Sequence, residues 1–237
     1  MLTTIIALAI GAAVFALIAG TLSVIGAILP AIAIALIAFF LISRKLSKKL
    51  EKAMADVQAD LMKGQIDGAI NKLKSLQNHY GKWQFFLTST IDGQIGSIYY
   101  MRGQYQKAKP YLERSFVRHW VARAMLALIY YRERKMAKME EVFDHATRYV
   151  KKAGLLWSLW AYCVWRNGDT DMAITILNRG KGYLNESDPH LTQNLLSLKN
   201  DKRMRMKSYG EQWYQFQLEV SPEVKQMQQG RIRFKNR

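Results

Sequence analysis

Residues 157–180 read WSLWAYCVWRNGDTDMAITILNRG, and this stretch decides how the rest of the chain is interpreted. Apolar and small side chains recur at helical spacing on both sides of Gly168, which predicts two helices joined by a turn. Two earlier stretches align with it, so that Gly96, Ala127 and Ala161 stand at equivalent positions, 31 and 34 residues apart. Such a period indicates a repeat architecture. The aligned positions are Ile95, Gly96, Tyr99, Gly103, Tyr105, Ala108, Leu112 and Ser115; Leu126, Ala127, Tyr130, Met139, Phe143 and Ala146; and Trp157, Trp160, Ala161, Val164, Gly168, Ala173, Leu177 and Gly180.

In this order of residues the three segments resemble the tetratricopeptide repeat family. A small residue stands where the first helix of a pair meets its neighbour, a Tyr or similar residue follows, and a glycine marks the turn. The match is weaker in the middle segment, where Arg134 and Lys135 occupy the turn and Met139 replaces a small residue. The resemblance implies an α-solenoid whose first helices line a concave face that binds extended or helical peptides.

The repeat pattern extends beyond these segments, and no stretch alternates like a strand. Residues 52–77 predict an earlier, degenerate unit with its turn at Gly64–Ala69 and a second helix bearing Ile70, Leu73 and Leu76. Residues 189–217 predict a closing pair. We therefore expect an all-α chain, with a repeat domain over 53–218 and a basic, flexible tail over 219–237.

The N-terminal 43 residues form a separate object, because they contain no charged side chain and no His. A membrane-spanning helix needs about 20 apolar residues, and this stretch is about twice that long. The residues predict a hairpin with helices over Leu2–Ala19 and Val24–Ser43 and a turn near Gly20. Pro30 either kinks the second helix or marks its start. A cleaved signal peptide and a single tilted span are the alternatives, and the length favours the hairpin.

A dense basic cluster follows the hairpin in residues 44–52, and the whole net charge of +17 lies from Arg44 onward. The positive-inside rule then predicts that this end and the repeat domain are cytoplasmic, with the membrane crossed twice. The layout looks similar to that of tetratricopeptide subunits of bacterial envelope machines, and this likeness implies a bacterial inner membrane. The cluster is equally well explained as a stop-transfer signal or as a contact with anionic lipid. Its members are Arg44, Lys45, Lys48, Lys49 and Lys52.

The resemblance also implies which side chains would line a partner-binding groove. Equivalent positions hold Tyr100, Tyr131 and Trp165, and two of these are followed by Arg, which pairs bidentately with carboxylates. An acidic or C-terminal peptide is therefore the expected guest. In the alternative interpretation the rings pack between helices and the arginines face water. The three layers are Ser97, Tyr100 and Met101; Leu128, Tyr131 and Arg132; and Tyr162, Trp165 and Arg166.

The sequence offers no apparatus for catalysis, so we expect no enzyme, no metal and no cofactor. The four His are scattered, Cys163 is the single cysteine, and Asp169 reads as a helix cap rather than a metal ligand. The basic patches do not belong to a nucleic-acid module, so no nucleic acid is expected. These features together predict a membrane-anchored adaptor that recruits a protein partner. The alternative is an integral structural subunit of a larger membrane complex, such as envelope polysaccharide or secretion machinery.

Overall fold

The computed structural model describes residues 2–19, 24–83, 86–185 and 187–219, and within these ranges every regular element is helical. The predicted all-α class is confirmed. The chain divides into two compact units, residues 1–91 and residues 92–237. The predicted turn near Gly20 and nearly all of the predicted tail lie outside the described residues.

The first unit contains α1 (Leu2–Ala19), α2 (Val24–Met62) and α3 (Ile66–Tyr80). Helices α1 and α2 pack along each other, and both are long and apolar enough to cross a membrane. Close packing depends on Gly11, because a Cβ there would lie 2.8 Å from the Cβ of Ala35. The outward residues of this hairpin, such as Leu17 and Leu29, are exposed apolar side chains, as expected of a surface that faces lipid.

Helix α2 is longer than its expected apolar span. It begins at Val24 as predicted, passes through Pro30, and continues without interruption through the basic cluster to Met62. At about 100° per residue, the five basic side chains of the cluster fall within an arc of about 140°, and all five are exposed. Leu46 and Val57 are buried. The apolar span, the basic face and the helical residues that precede α3 are thus one element.

The second unit contains antiparallel helix pairs joined by tight turns. It begins within α4 (Leu87–Met101), which is followed by α5 (Tyr105–Glu113), α6 (Trp120–Arg132), α7 (Met136–Tyr149), α8 (Gly154–Arg166), α9 (Thr170–Leu184) and α10 (Pro189–Lys199). A short 3₁₀ helix (Met206–Tyr209) and a single α-turn, α11 (Glu211–Tyr214), end the described part. Asp169 caps α9 by accepting a hydrogen bond from the Met172 amide at 2.8 Å, which confirms the cap prediction.

One turn geometry recurs along the chain. In each case a residue with positive φ donates its amide to the carbonyl three residues earlier, and the next amide donates to the carbonyl five residues earlier. This is the Schellman arrangement that ends a helix, and it favours glycine because glycine has no Cβ. The turns predicted at Gly103 and Gly168 are confirmed. The turn predicted over Gly64–Ala69 is shorter than expected, because Ile66–Ala69 form the first turn of α3. The positive-φ residues are Gly64, Gly103, Arg134, Gly168 and Asp201.

Small residues let the helices of a pair approach closely. A Cβ at Gly96 would lie 2.7 Å from Leu112, and a Cβ at Gly180 would lie 2.7 Å from the Trp157 ring. Ala127 and Ala161, which stand at the positions equivalent to Gly96, are fully buried. Large apolar side chains such as Phe143 and Trp160 fill the space between the pairs. The small Cys163 side chain is also fully buried there, and this burial raises the pKa of its thiol.

Candidate functional site: a filled groove beside an arginine pocket

The groove positions on α4, α6 and α8 have different environments. Tyr100 and Leu128 are fully buried, and Tyr162 is nearly so. Ser97 donates to the Gly93 carbonyl of its own helix. Met101, Arg132 and Arg166 are exposed, whereas Tyr131 and Trp165 are half-buried.

The chain's own C-terminal segment, defined as residues 211–219, packs against several of these positions. The Trp213 ring is fully buried and meets the Tyr162 ring edge-on at 5.0 Å between centroids. Phe216 is also fully buried, with its ring 6.3 Å from that of Trp120. These two aromatic side chains anchor the segment, since each buries a large apolar area.

Polar contacts fix the segment's backbone. The Tyr100 hydroxyl donates to the Phe216 carbonyl at 2.6 Å, and Arg132 Nη2 donates to the Gln217 carbonyl at 2.6 Å. The Gln217 side chain donates to the Met101 carbonyl at 2.6 Å and accepts from the Tyr105 hydroxyl at 3.0 Å. Groove residues therefore bind main-chain carbonyls of a helical turn and the residues that follow it, and that segment belongs to the same chain.

The end of the segment carries a carboxylate. Glu219 accepts a hydrogen bond from the Tyr162 hydroxyl at 3.5 Å, and Lys207 Nζ lies 4.0 Å from the same carboxylate. Burial, together with the nearby Glu219 charge, raises the pKa of Tyr162 to about 12. Burial likewise raises the pKa of Tyr100, so both hydroxyls remain protonated donors at neutral pH.

Beside the segment lies an open cavity of about 590 Å³ lined by three arginines, which we call the arginine pocket. Arg132 and Arg166 come from equivalent helix ends, and the Arg132 guanidinium lies 4.8 Å from the centre of the Tyr105 ring. Burial raises the pKa of Tyr131, and the nearby Arg166 guanidinium lowers it by less. Within the described ranges no carboxylate forms an ion pair with any of the three guanidinium groups.

Sequence reasoning did not assign Tyr105, Met136, Asn167 or Arg134 to the groove, and of these four pocket residues only Arg134 is charged. Arg134 has φ of +60° at the position where Gly64, Gly103 and Gly168 stand in other turns. A bulky residue in this conformation is strained relative to glycine. The available signal was the alignment itself, because an Arg replaces the turn glycine in the middle repeat. The C-terminal segment was also missed as an occupant, although the density of aromatic residues at 213–216 marks it.

The basic set on α2 forms a second candidate surface. Its five side chains project from one face of the helix directly after the apolar span. In the described part of the chain, no group of three or more His, Cys, Asp or Glu side chains could hold a metal ion. Comparison of the chain with protein-family models, with curated proteins and with solved structures gave no match.

Proposed function

We propose that the protein is a membrane-anchored adaptor of tetratricopeptide-like helix pairs that recruits a protein partner at the cytoplasmic face of a bacterial inner membrane. The observation that carries this proposal is the continuity of α2, which joins an uncharged span to an exposed basic face and then to a helix pair. Anchoring a binding domain in this way raises the effective concentration of its partner at the bilayer. We propose no catalytic role and no nucleic-acid partner.

The arginine pocket is the part of the groove that remains open to a partner. It presents cationic, hydrogen-bonding side chains without a described carboxylate to neutralise them, which favours an acidic segment as guest. A second copy of this chain fits poorly, because its net charge is +17. The basic residues of 220–237 disfavour the chain's own tail for the same reason.

The test is partner capture by crosslinking the full chain in native membranes. One variant combines Arg166→Glu with Arg134→Gly, the second of which introduces the residue found in the other turns. The matched control combines Arg118→Glu with Arg203→Gln, which changes the net charge equally at exposed positions outside the pocket. Loss of a partner from the pocket variant alone supports the adaptor. Equal loss from both variants, or no captured partner at all, contradicts it.

A structural subunit of a larger membrane complex is the second candidate, and two observations favour it. The inner groove is already filled by the chain's own C-terminal segment. The hairpin also has an apolar cleft of about 370 Å³ between α1 and α2, lined in part by Leu8, Ile32 and Phe39. This candidate predicts that partners survive the pocket variant and are lost when residues 2–43 are deleted.

Topology has a separate test. Lys199 is exposed, and a Lys199→Cys variant should resist a membrane-impermeant thiol reagent in intact cells and react after lysis. The buried Cys163 should remain unlabelled in both cases. Labelling of intact cells would place the domain on the outer side and overturn the cytoplasmic assignment.

A further inference from the structure

The turn between α3 and α4 has an unusual composition for a surface turn. Residues 81–87 read GKWQFFL, so that four of seven side chains are large and apolar. Of these, Phe86 is 57% exposed and has φ of +64°. The Phe86 carbonyl accepts the Thr90 amide at the start of α4, at 2.9 Å, while the exposed aromatic side chain stands on a backbone conformation that disfavours bulky residues.

Two hydrogen bonds fix this turn against the first residues of the hairpin. The Leu2 amide donates to the Lys82 carbonyl at 3.0 Å, and the Thr3 hydroxyl donates to the Trp83 carbonyl at 2.9 Å. The first amides of a helix have no intrahelical acceptor, so the turn supplies what the start of α1 lacks. Thr3 is buried although it begins an apolar helix. The turn therefore lies at the end of the membrane span.

The register of the hairpin shows which level this is. Gly11 packs against Ala31 and Ala35, and α1 runs antiparallel to α2. Extending that register toward the N-terminus of α1 places Leu2 level with Ile42, two residues before Arg44. The turn and the start of the basic face thus share one level, where the apolar helices end and charge begins.

We propose that Lys82, Trp83 and Phe86 lie in the head-group layer of the membrane and form a third point of contact beside the two helices of the hairpin. The partner of this surface is an anionic lipid leaflet. Trp is enriched at this depth because its ring is apolar and its N–H is polar, and Trp83 supplies such a ring. Phe86 supplies an exposed apolar ring. Exposed Lys82, together with the basic face of α2, supplies the charge complementarity.

The contact orients the helix pair that is attached to the hairpin. A hairpin alone allows the attached helices to tilt, whereas an aromatic turn at the same surface holds the C-terminal end of α3 against the bilayer. This inference rests on the membrane anchoring in the proposed function. It is independent of the arginine pocket and of the identity of any protein partner.

The test places an environment-sensitive NBD dye on the full chain in lipid-only vesicles of phosphatidylcholine and phosphatidylglycerol. The background is Cys163→Ala, and the dye is attached at Phe86→Cys or, as a second site in the turn, at Lys82→Cys. Gln65→Cys is the matched control, because Gln65 is exposed at the other end of α3, about 22 Å away along the helix. Phe40→Cys reports on the hairpin itself. Lipids brominated near the head group act as quenchers of shallow dyes.

We expect NBD at residue 86 to emit at shorter wavelength than NBD at residue 65. We also expect the shallow quencher to reduce the intensity of NBD at residue 86 and to leave that of NBD at residue 65 unchanged. A water-like, unquenched signal at residues 86 and 82 with a buried signal at residue 40 overturns the proposal while leaving the anchor intact. A lipid-free signal at residue 40 as well shows that the anchoring itself has failed. If a protein subunit normally covers the turn, the turn is exposed to water in these lipid-only vesicles. The signal is then water-like at residues 86 and 82 and buried at residue 40.

Discussion

Replacing Tyr100 by Phe removes a single oxygen atom and tests whether the C-terminal segment occupies the groove. The Tyr100 hydroxyl donates a 2.6 Å hydrogen bond to the Phe216 carbonyl, and both residues are fully buried. Phe keeps the ring and its edge-on contact with Tyr105 at 5.2 Å between centroids. The substitution therefore removes the donor and leaves the packing in place.

The expected cost follows from the burial of the acceptor. Losing a buried hydrogen bond whose partner stays desolvated costs about 1–2 kcal/mol. The loss falls on a local opening equilibrium, because only the segment's backbone depends on this donor. An open state that is about 1–2 kcal/mol easier to reach is about 5–30 times more populated.

Limited proteolysis with chymotrypsin measures this population in the full chain, solubilised in mild detergent. Cleavage after Trp213 and Phe216, followed by mass spectrometry, should accelerate by that factor, provided that reclosing is faster than cleavage. Tyr149→Phe is the matched control, since Tyr149 is half-exposed and lies outside the groove. Equal cleavage rates for wild type, Tyr100→Phe and Tyr149→Phe would refute the assignment of the segment to the groove.

Three further predictions concern stability, each measured by urea denaturation of the full chain in detergent. Trp213→Ala should lower the free energy of unfolding by about 3–5 kcal/mol because a fully buried indole is removed, and an unchanged midpoint would show that this end of the chain is not core. Gly180→Ala should destabilise the protein by about 1–3 kcal/mol because the added Cβ would contact Trp157. Gly182 has open space around it, so Gly182→Ala should stabilise the protein by up to about 1 kcal/mol. Effects of the same sign for both substitutions would contradict the packing of α9. Hydrogen bonds from Lys135 and Lys109 lower the pKa of Glu133 below its usual 4.5. The ionised carboxylate therefore stabilises the fold above that pH, and this stability is lost as the pH falls through the folded-state pKa. Glu133→Gln should flatten this acid limb of the stability profile, and an unaltered limb would sink the argument.

Local features of the chain were predictable where the cause was local. Helix α1 begins and ends at the predicted residues because an uncharged apolar run of that length has few alternatives. The turns at Gly103 and Gly168 followed from glycine's tolerance of positive φ. The continuity of α2 from the apolar span to Met62 was not foreseen, because a cluster of charges ends an apolar run without ending a helix, and no Gly or Pro interrupts residues 44–62.

The candidate site was predictable only in part, since its contacts join distant residues through main-chain atoms. Tyr100 and Phe216 are 116 residues apart, and the acceptor is a carbonyl that any residue at position 216 would carry. No pattern of side chains in the sequence predicts such a bond. Repeat periodicity did bring Arg132 and Arg166 to one pocket, because equivalent positions of neighbouring pairs lie side by side. Arg134 joins them through a backbone conformation that periodicity alone does not express.

The unbroken course of α2 makes the protein sensitive to rotational phase. Its 39 residues form a rod about 58 Å long, in which each added residue turns everything beyond it by about 100° and shifts it by about 1.5 Å. One alanine inserted between Ser47 and Lys48 would swing α3 around the rod, away from the start of α1. Seven inserted residues would nearly restore the azimuth but displace α3 by about 10 Å, so that Lys82 could no longer reach Leu2. The number of residues in α2 therefore sets both the direction in which α3 leaves the helix and the distance of α3 along the helix axis. A change in this number alters the two together.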